Sequence, residues 1–206
     1  MMIAMRRAWL VASLLCGCLT KPSSPPAAGA CTTNDTLIDP FVSGACGSGT
    51  ENGTGSAGTS GGTLTLSVPN YQNVSCTWPG QIVGSGVSVD VSTVDNASAH
   101  LDVTQSSLEI ELVLGTVSGT WQVRLVVGST TMSANLVAKP TAIGLFPFGT
   151  DVAVYTRDTS SWSLVTMADA QGTSFEQPVD VDLAAVGTAS GAASVDFGML
   201  TGCATR

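Results

Sequence analysis

From residue 63 onward apolar and polar side chains alternate with a period of two, and no window sustains the spacing of an amphipathic helix. The clearest stretch is Leu108-Glu109-Ile110-Glu111-Leu112-Val113-Leu114, followed after a glycine-bounded turn by Trp121-Gln122-Val123-Arg124-Leu125-Val126-Val127. Successive side chains of a strand point to opposite faces, so Leu108, Ile110, Leu112 and Leu114 share one side, as do Trp121, Val123, Leu125 and Val127. Pairing these two strands through their apolar faces sets Glu109 or Glu111 near Arg124 on the solvent side. The same alternation marks residues 63–68, 73–78, 86–92, 100–104, 130–138, 142–146, 151–157, 161–167, 178–183 and 193–199. Short strands at this density, separated by Gly, Asn, Asp and Ser, predict an all-β chain. The expected architecture is an antiparallel β-sandwich of roughly ten strands, with a closed β-barrel as the alternative.

Composition narrows the partners. Of 206 residues, 7 are Lys or Arg and 15 are Asp or Glu, for a net charge of −8. Phosphate neutralisation requires clustered basic side chains, so nucleic acid is not an expected partner. At the N-terminus, Arg6 and Arg7 precede the apolar run Ala8-Trp9-Leu10-Val11-Ala12-Ser13-Leu14-Leu15, a basic segment and short apolar core of the kind that directs export. The run is too short to remain as a bilayer span.

The residues that close this run, Leu15-Cys16-Gly17-Cys18, resemble the lipobox of bacterial lipoproteins. The resemblance implies a signal peptide over residues 1–17, cleavage before Cys18 and acylation (palmitate among the chains) of Cys18, which would hold the protein to the membrane. Leu19 follows where an aspartate would favour inner-membrane retention, so the resemblance implies the bacterial outer membrane as destination. The alternative is an ordinary secretory signal and a secreted chain.

Residues 18–62 are expected to be a disordered, lipid-anchored tether: Pro22, Pro25 and Pro26 stiffen its start, and 47–62 is rich in Gly, Ser and Thr. The β domain is then expected to span 63–206. Four cysteines remain for pairing, Cys31, Cys46, Cys76 and Cys203, and an even number in an exported chain points to disulfides rather than zinc. Of the three pairings, the expected one joins Cys31 to Cys46 in a small loop within the tether and Cys76 to Cys203 between an early strand and the last.

Candidate chemistry is sparse. Gly58-Thr59-Ser60-Gly61-Gly62 matches the spacing of a hydrolase nucleophile elbow, but a glycine-rich segment enters it and a strand leaves, whereas the elbow needs a strand and then a helix. His100 is the only histidine, so any serine or cysteine triad must use it. A hydrolase requires it within hydrogen-bond reach of a serine and a carboxylate. Asp180, Asp182 and Asp196 form a weak candidate for a metal site if a final hairpin aligns them; otherwise they are the solvated sides of strands. Trp121 and Trp162 fall on the apolar side of alternating strands and are expected in the core. Trp78, and Phe146 with Phe148, are the aromatic candidates for sugar stacking or partner docking. No catalytic residue, metal or cofactor is assigned. The expected role is that of a non-catalytic lipid-anchored envelope protein, with a carbohydrate- or protein-binding β module as first alternative and a secreted hydrolase as second.

Overall fold

The computed structural model describes residues 35–84, 86–159, 161–188 and 191–203. The expected signal peptide, Cys18 and Cys31 lie outside the described residues, as does the side chain of Cys203. Among the described residues there are fifteen strands and no helix. In chain order they are β1 (Asp35–Asp39), β2 (Thr50–Gly53), β3 (Ser56–Ser60), β4 (Thr63–Pro69), β5 (Asn73–Gln81), β6 (Gly86–Asp95), β7 (Ala97–Gln105), β8 (Leu108–Val117), β9 (Thr120–Val127), β10 (Thr130–Asn135), β11 (Ala142–Phe148), β12 (Asp151–Arg157), β13 (Trp162–Asp169), β14 (Val179–Gly187) and β15 (Ala192–Cys203).

They form two antiparallel sheets that are not closed into a barrel. One runs β13-β12-β11-β6-β15-β4-β3, with β1 also paired to β15; the other runs β10-β9-β8-β7-β14-β5-β2. The alternation read from the sequence is the burial pattern. Leu64, Leu66 and Val68 of β4, Val87, Val89 and Val91 of β6, and Val195, Phe197 and Leu200 of β15 face inward from the first sheet. Val74 and Cys76 of β5, Leu101 and Val103 of β7, Ile110, Leu112 and Leu114 of β8, and Val181 and Leu183 of β14 meet them from the second. Each such side chain contributes about 1.5 to 3 kcal/mol on leaving water, which is why the pattern dictates the sandwich.

β15 keeps its inward face through a register shift. Phe197 pairs with Val91 but Leu200 pairs with Val89, so Gly198 and Met199 stand opposite a single intervening position and both Phe197 and Leu200 stay buried. Glycine at 198 keeps this approach close, because a Cβ would lie 2.8 Å from the Cβ of Asp90 and force one of the two strands to shift.

The domain begins earlier than the expected boundary at residue 63. β1, β2 and β3 all join the sheets, β2 against β5 and β3 against β4. The side chains of β2 and β3 are mostly exposed, so these two strands add little to the core and carry no apolar periodicity; backbone pairing places them. Ser60 pairs with Thr63 across Gly61 (φ +59°) and Gly62 (φ +83°), a two-residue turn that needs positive φ at both positions. The apparent nucleophile elbow is therefore a β-hairpin, and Ser60 is exposed at its end.

Candidate functional site

The expected cysteine pairing is corrected. Cys46 is bonded to Cys76, with Cα atoms 5.6 Å apart, so neither the loop from Cys31 to Cys46 nor the bridge from Cys76 to Cys203 exists. The bond fixes the loop between β1 and β2 against the core strand β5, and the same loop carries a buried carboxylate. Asp39 Oδ1 accepts from the Phe41 amide (2.7 Å), and Oδ2 accepts from the Ser48 amide (2.5 Å), Ser48 Oγ (2.7 Å) and Trp78 Nε1 (3.0 Å). Burial works to raise the Asp39 pKa, but these four donors outweigh it and hold the carboxyl below its ordinary value. Trp78 is thus core, 2% exposed and packed against Phe41, and is withdrawn as a ligand platform.

Phe146 is also buried, and Phe148 is half-buried. They lie on the outer face of the first sheet in a small second cluster with Ala153, Tyr155, Trp162 and Met167. Phe146 meets Tyr155 and Trp162 edge-on, and the Arg157 guanidinium lies over the Trp162 ring while bonding Asp90 at 2.6 Å. Trp162 therefore belongs to this outer cluster, whereas Trp121 packs on the main core. The aromatic faces are largely spent on one another.

The three aspartates do not converge. Asp180 and Asp182 stand on β14 in one sheet and Asp196 on β15 in the other. Asp180 accepts from the Gly80 amide, Asp182 from Thr77 Oγ1 and Asp196 from Thr65 Oγ1.

Two other places gather polar groups. The first is a cleft of about 700 Å³ at the end of the sandwich, where the chain crosses from β2 in one sheet to β3 in the other. Across the outer face of the first sheet, Ser56, Ser67, Ser194 and Asp95 stand in one register on β3, β4, β15 and β6. Asn70 and the ring of Pro69 complete this wall, and Asn70 Oδ1 is tied to the Gly191 amide at 2.5 Å. Gly55 permits the crossing, since a Cβ there would lie 2.3 Å from the Ser67 carbonyl oxygen.

The second is on the outer face of the second sheet. Ser106 and Ser107 join β7 to β8 in a tight hairpin whose register, Gln105 opposite Leu108, sets Asp102 opposite Glu111 and His100 opposite Val113. His100 Nδ1 lies 2.9 Å from Glu111 Oε1, and Nε2 lies 2.8 Å from Ser98 Oγ. The ring with its proton on Nδ1 donates to the carboxylate and accepts from the serine. Glu111 is held below its ordinary pKa by the His100 hydrogen bond, against burial, with the charge of Arg124 assisting. Asp102 is the reverse: burial, then the charges of Glu111, Glu109 and Asp182, push its carboxyl up to about 9. Beside this cluster Ser98, Val113, Val117, Gln122 and Arg124 line a hollow of about 250 Å³.

His100 thus has the serine and carboxylate neighbours that a hydrolase would require. Ser98, Asp102 and Glu111 as one group were not read from the sequence; the signal was the alternation His100-x-Asp102 and Glu109-x-Glu111 on either side of a two-residue turn.

No family model and no curated protein sequence matches the chain. Among solved structures, the fold is similar to a legume lectin-like domain from Entamoeba histolytica, with a TM-score of 0.57 at 6% identity over 73% of this chain and 87% of that one. It is also similar to the exoplasmic/lumenal domain of VIP36 in a Ca²⁺/Man2-bound form, with a TM-score of 0.55 at 14% identity over 82% of this chain and 88% of that one. A third likeness is to the CBM2 module of the evolved Dit of Lactobacillus casei BL23 phage J-1, at 0.50 and 13% identity over 72% and 78%. At these identities the likeness is one of fold: a lectin-like β-sandwich.

Proposed function

We propose that this protein is a non-catalytic, glycan-binding β-sandwich held by lipid on Cys18 at the bacterial outer membrane, with a secreted form as the alternative. The observation that carries the glycan reading is the cleft at the β2-to-β3 crossing. Sugars are recognised by convergent hydroxyl, amide and carboxylate groups beside a small apolar surface, and Ser56, Ser67, Ser194, Asn70 and Asp95 with the ring of Pro69 supply that set. A fold shared with a legume lectin-like domain and with a VIP36 domain in a Ca²⁺/Man2-bound form supports it. The acidic balance and the absence of clustered basic residues agree with a neutral ligand rather than a polyanion.

A hydrolase remains the second reading because of the chain of hydrogen bonds Ser98–His100–Glu111. Against it, Ser98 stands on β7 between β8 and β14, where the neighbouring amides are taken up by the two ladders instead of being free to face an oxyanion. Binding to immobilised neutral glycans tests the first reading. The unaltered protein is expected to bind at least one, and Asp95→Ala with Ser194→Ala to abolish that binding while leaving thermal unfolding unchanged. Retained binding in the double variant would move the site elsewhere. Anchoring is read separately, by incorporation of a palmitate analogue into the wild type and its loss in Cys18→Ala.

A further inference from the structure

We propose that His100, Asp102 and Glu111 form a site for a transition-metal dication of the zinc type on the outer face of the second sheet. The three side chains offer one imidazole nitrogen and two carboxylate oxygens that lie within 4.8 Å of one another. They come from the centres of two adjacent strands, whose hydrogen-bonded register places the Asp102 and Glu111 Cα atoms opposite each other, so the set is held by the sheet itself rather than by a loop. Donors to tetrahedral zinc stand about 3.3 Å apart, from metal–ligand bonds of about 2.0 to 2.2 Å. The separation of His100 Nδ1 and Glu111 Oε1, 2.9 Å, is already near that, and Asp102 offers a carboxyl oxygen within 4.8 Å of both residues' ligand atoms.

Two further observations point to a ligand. Asp102 is only 8% exposed, and its Oδ1 is buried without a hydrogen-bond partner. A buried carboxylate oxygen is normally paired, because leaving water uncompensated costs several kcal/mol. Here its neighbours across the sheet are themselves acidic: Glu111 on β8 and Asp182 on β14. A dication between Asp102 and Glu111 supplies the missing partner, and the Asp102 carboxyl gives up its proton to solvent as the metal binds.

The second observation is the other side of the imidazole. Metal-bound histidines hold their free ring N–H on an acceptor, and His100 Nε2 is 2.8 Å from Ser98 Oγ. With the metal on Nδ1, the ring proton moves to Nε2 and is donated to Ser98. An imidazole donor and only three protein ligands favour zinc over calcium, which takes six to eight oxygens. This site is on the opposite sheet from the glycan cleft wall and does not depend on it.

The test uses the full chain with Cys16→Ser and Cys18→Ser under non-reducing conditions, stripped with chelator and titrated calorimetrically with Zn²⁺ and, separately, Ca²⁺. One Zn²⁺ per chain is expected, with a rise in melting temperature that Ca²⁺ does not produce. Co²⁺ in place of Zn²⁺ should give the visible absorption of a low-coordinate N/O site. Glu111→Gln and Asp102→Asn should each weaken Zn²⁺ at least about tenfold, and Ser98→Ala by about ten- to a hundredfold. Absence of stoichiometric Zn²⁺ binding, unchanged binding in Glu111→Gln, or an equal response to Ca²⁺ would overturn the assignment. Glu111 is half-exposed, so its variant keeps the test open if Asp102→Asn does not fold. Glycan binding without zinc, or zinc without glycan, separates this inference from the proposed function.

Discussion

Replacing Asp39 with asparagine probes the feature that anchors the N-terminal strands to the core. In the native protein one carboxylate, 2% exposed, receives four donors: two backbone amides, a hydroxyl and the Trp78 indole. Asparagine fits the same space but presents one oxygen and one NH₂. If its oxygen takes the position of Oδ2, the amide nitrogen confronts the Phe41 N–H, donor against donor. The remaining three bonds lose their charge assistance. Hydrogen bonds to charged groups contribute about 1.5 to 3 kcal/mol each, and a buried unsatisfied donor costs about 1 to 3 kcal/mol. One bond lost and three weakened amount to about 4 to 7 kcal/mol, and the cheaper burial of a neutral amide offsets part of that, leaving about 3 to 5 kcal/mol, a large fraction of the stability of an ordinary domain.

Urea unfolding followed by tryptophan fluorescence reads the difference, because Trp78 itself is one of the four donors. pH supplies a second axis. The folded pKa of Asp39 lies below its ordinary value of 3.8, so its contribution is fully present above pH 3.8 and is lost as pH falls through the folded value. The gap between wild type and Asp39→Asn should be constant from pH 7 to pH 5 and shrink below pH 4. Equal urea midpoints at pH 7, or a gap that persists undiminished at pH 2, would refute the reasoning.

Peptide mapping without reduction should yield a Cys46–Cys76 peptide, and Cys76→Ser should destabilise by about 3 to 4 kcal/mol, since the bond closes a sequence separation of 30. Gly198→Ala should cost about 1 to 3 kcal/mol in thermal or urea unfolding, because the added methyl would stand 2.8 Å from the Asp90 Cβ while Asp90 is held by Arg157. Phe146→Ala should cost about 2 to 4 kcal/mol in the same assay and leave glycan binding unchanged, since its ring is packed against Tyr155 and Trp162 rather than lining the cleft.

How far the sequence could be read follows from which forces write themselves into it. Burial of alternate side chains leaves a period of two, so the strands from β4 onward, their inward faces and the two-layer class were legible in residues such as Leu64, Leu66, Ile110, Leu112 and Leu125. β2 and β3 were not, because a strand held by backbone pairing at a sheet margin needs no apolar period, and a Gly-Ser-Thr segment reads the same whether it pairs or not. Trp78 looked available because the sequence does not show that Asp39, distant along the chain, would accept its indole proton. Phe146 looked available because the outer cluster that covers it comes from three strands.

The candidate sites divide along the same line. Glu109 and Glu111 were visible as polar positions on an alternating strand, and the sequence by itself determined that they face away from the core, while His100 stood out only as the one histidine. Which sheet each strand joins was decided only in three dimensions. That assignment separated Asp196 from Asp180 and Asp182, brought Cys46 rather than Cys203 to Cys76, and aligned Ser56, Ser67, Ser194 and Asp95 into one wall. Alternation records which way a side chain points, a property of the local backbone, whereas the neighbour across the ladder is set by long-range pairing that leaves no local mark.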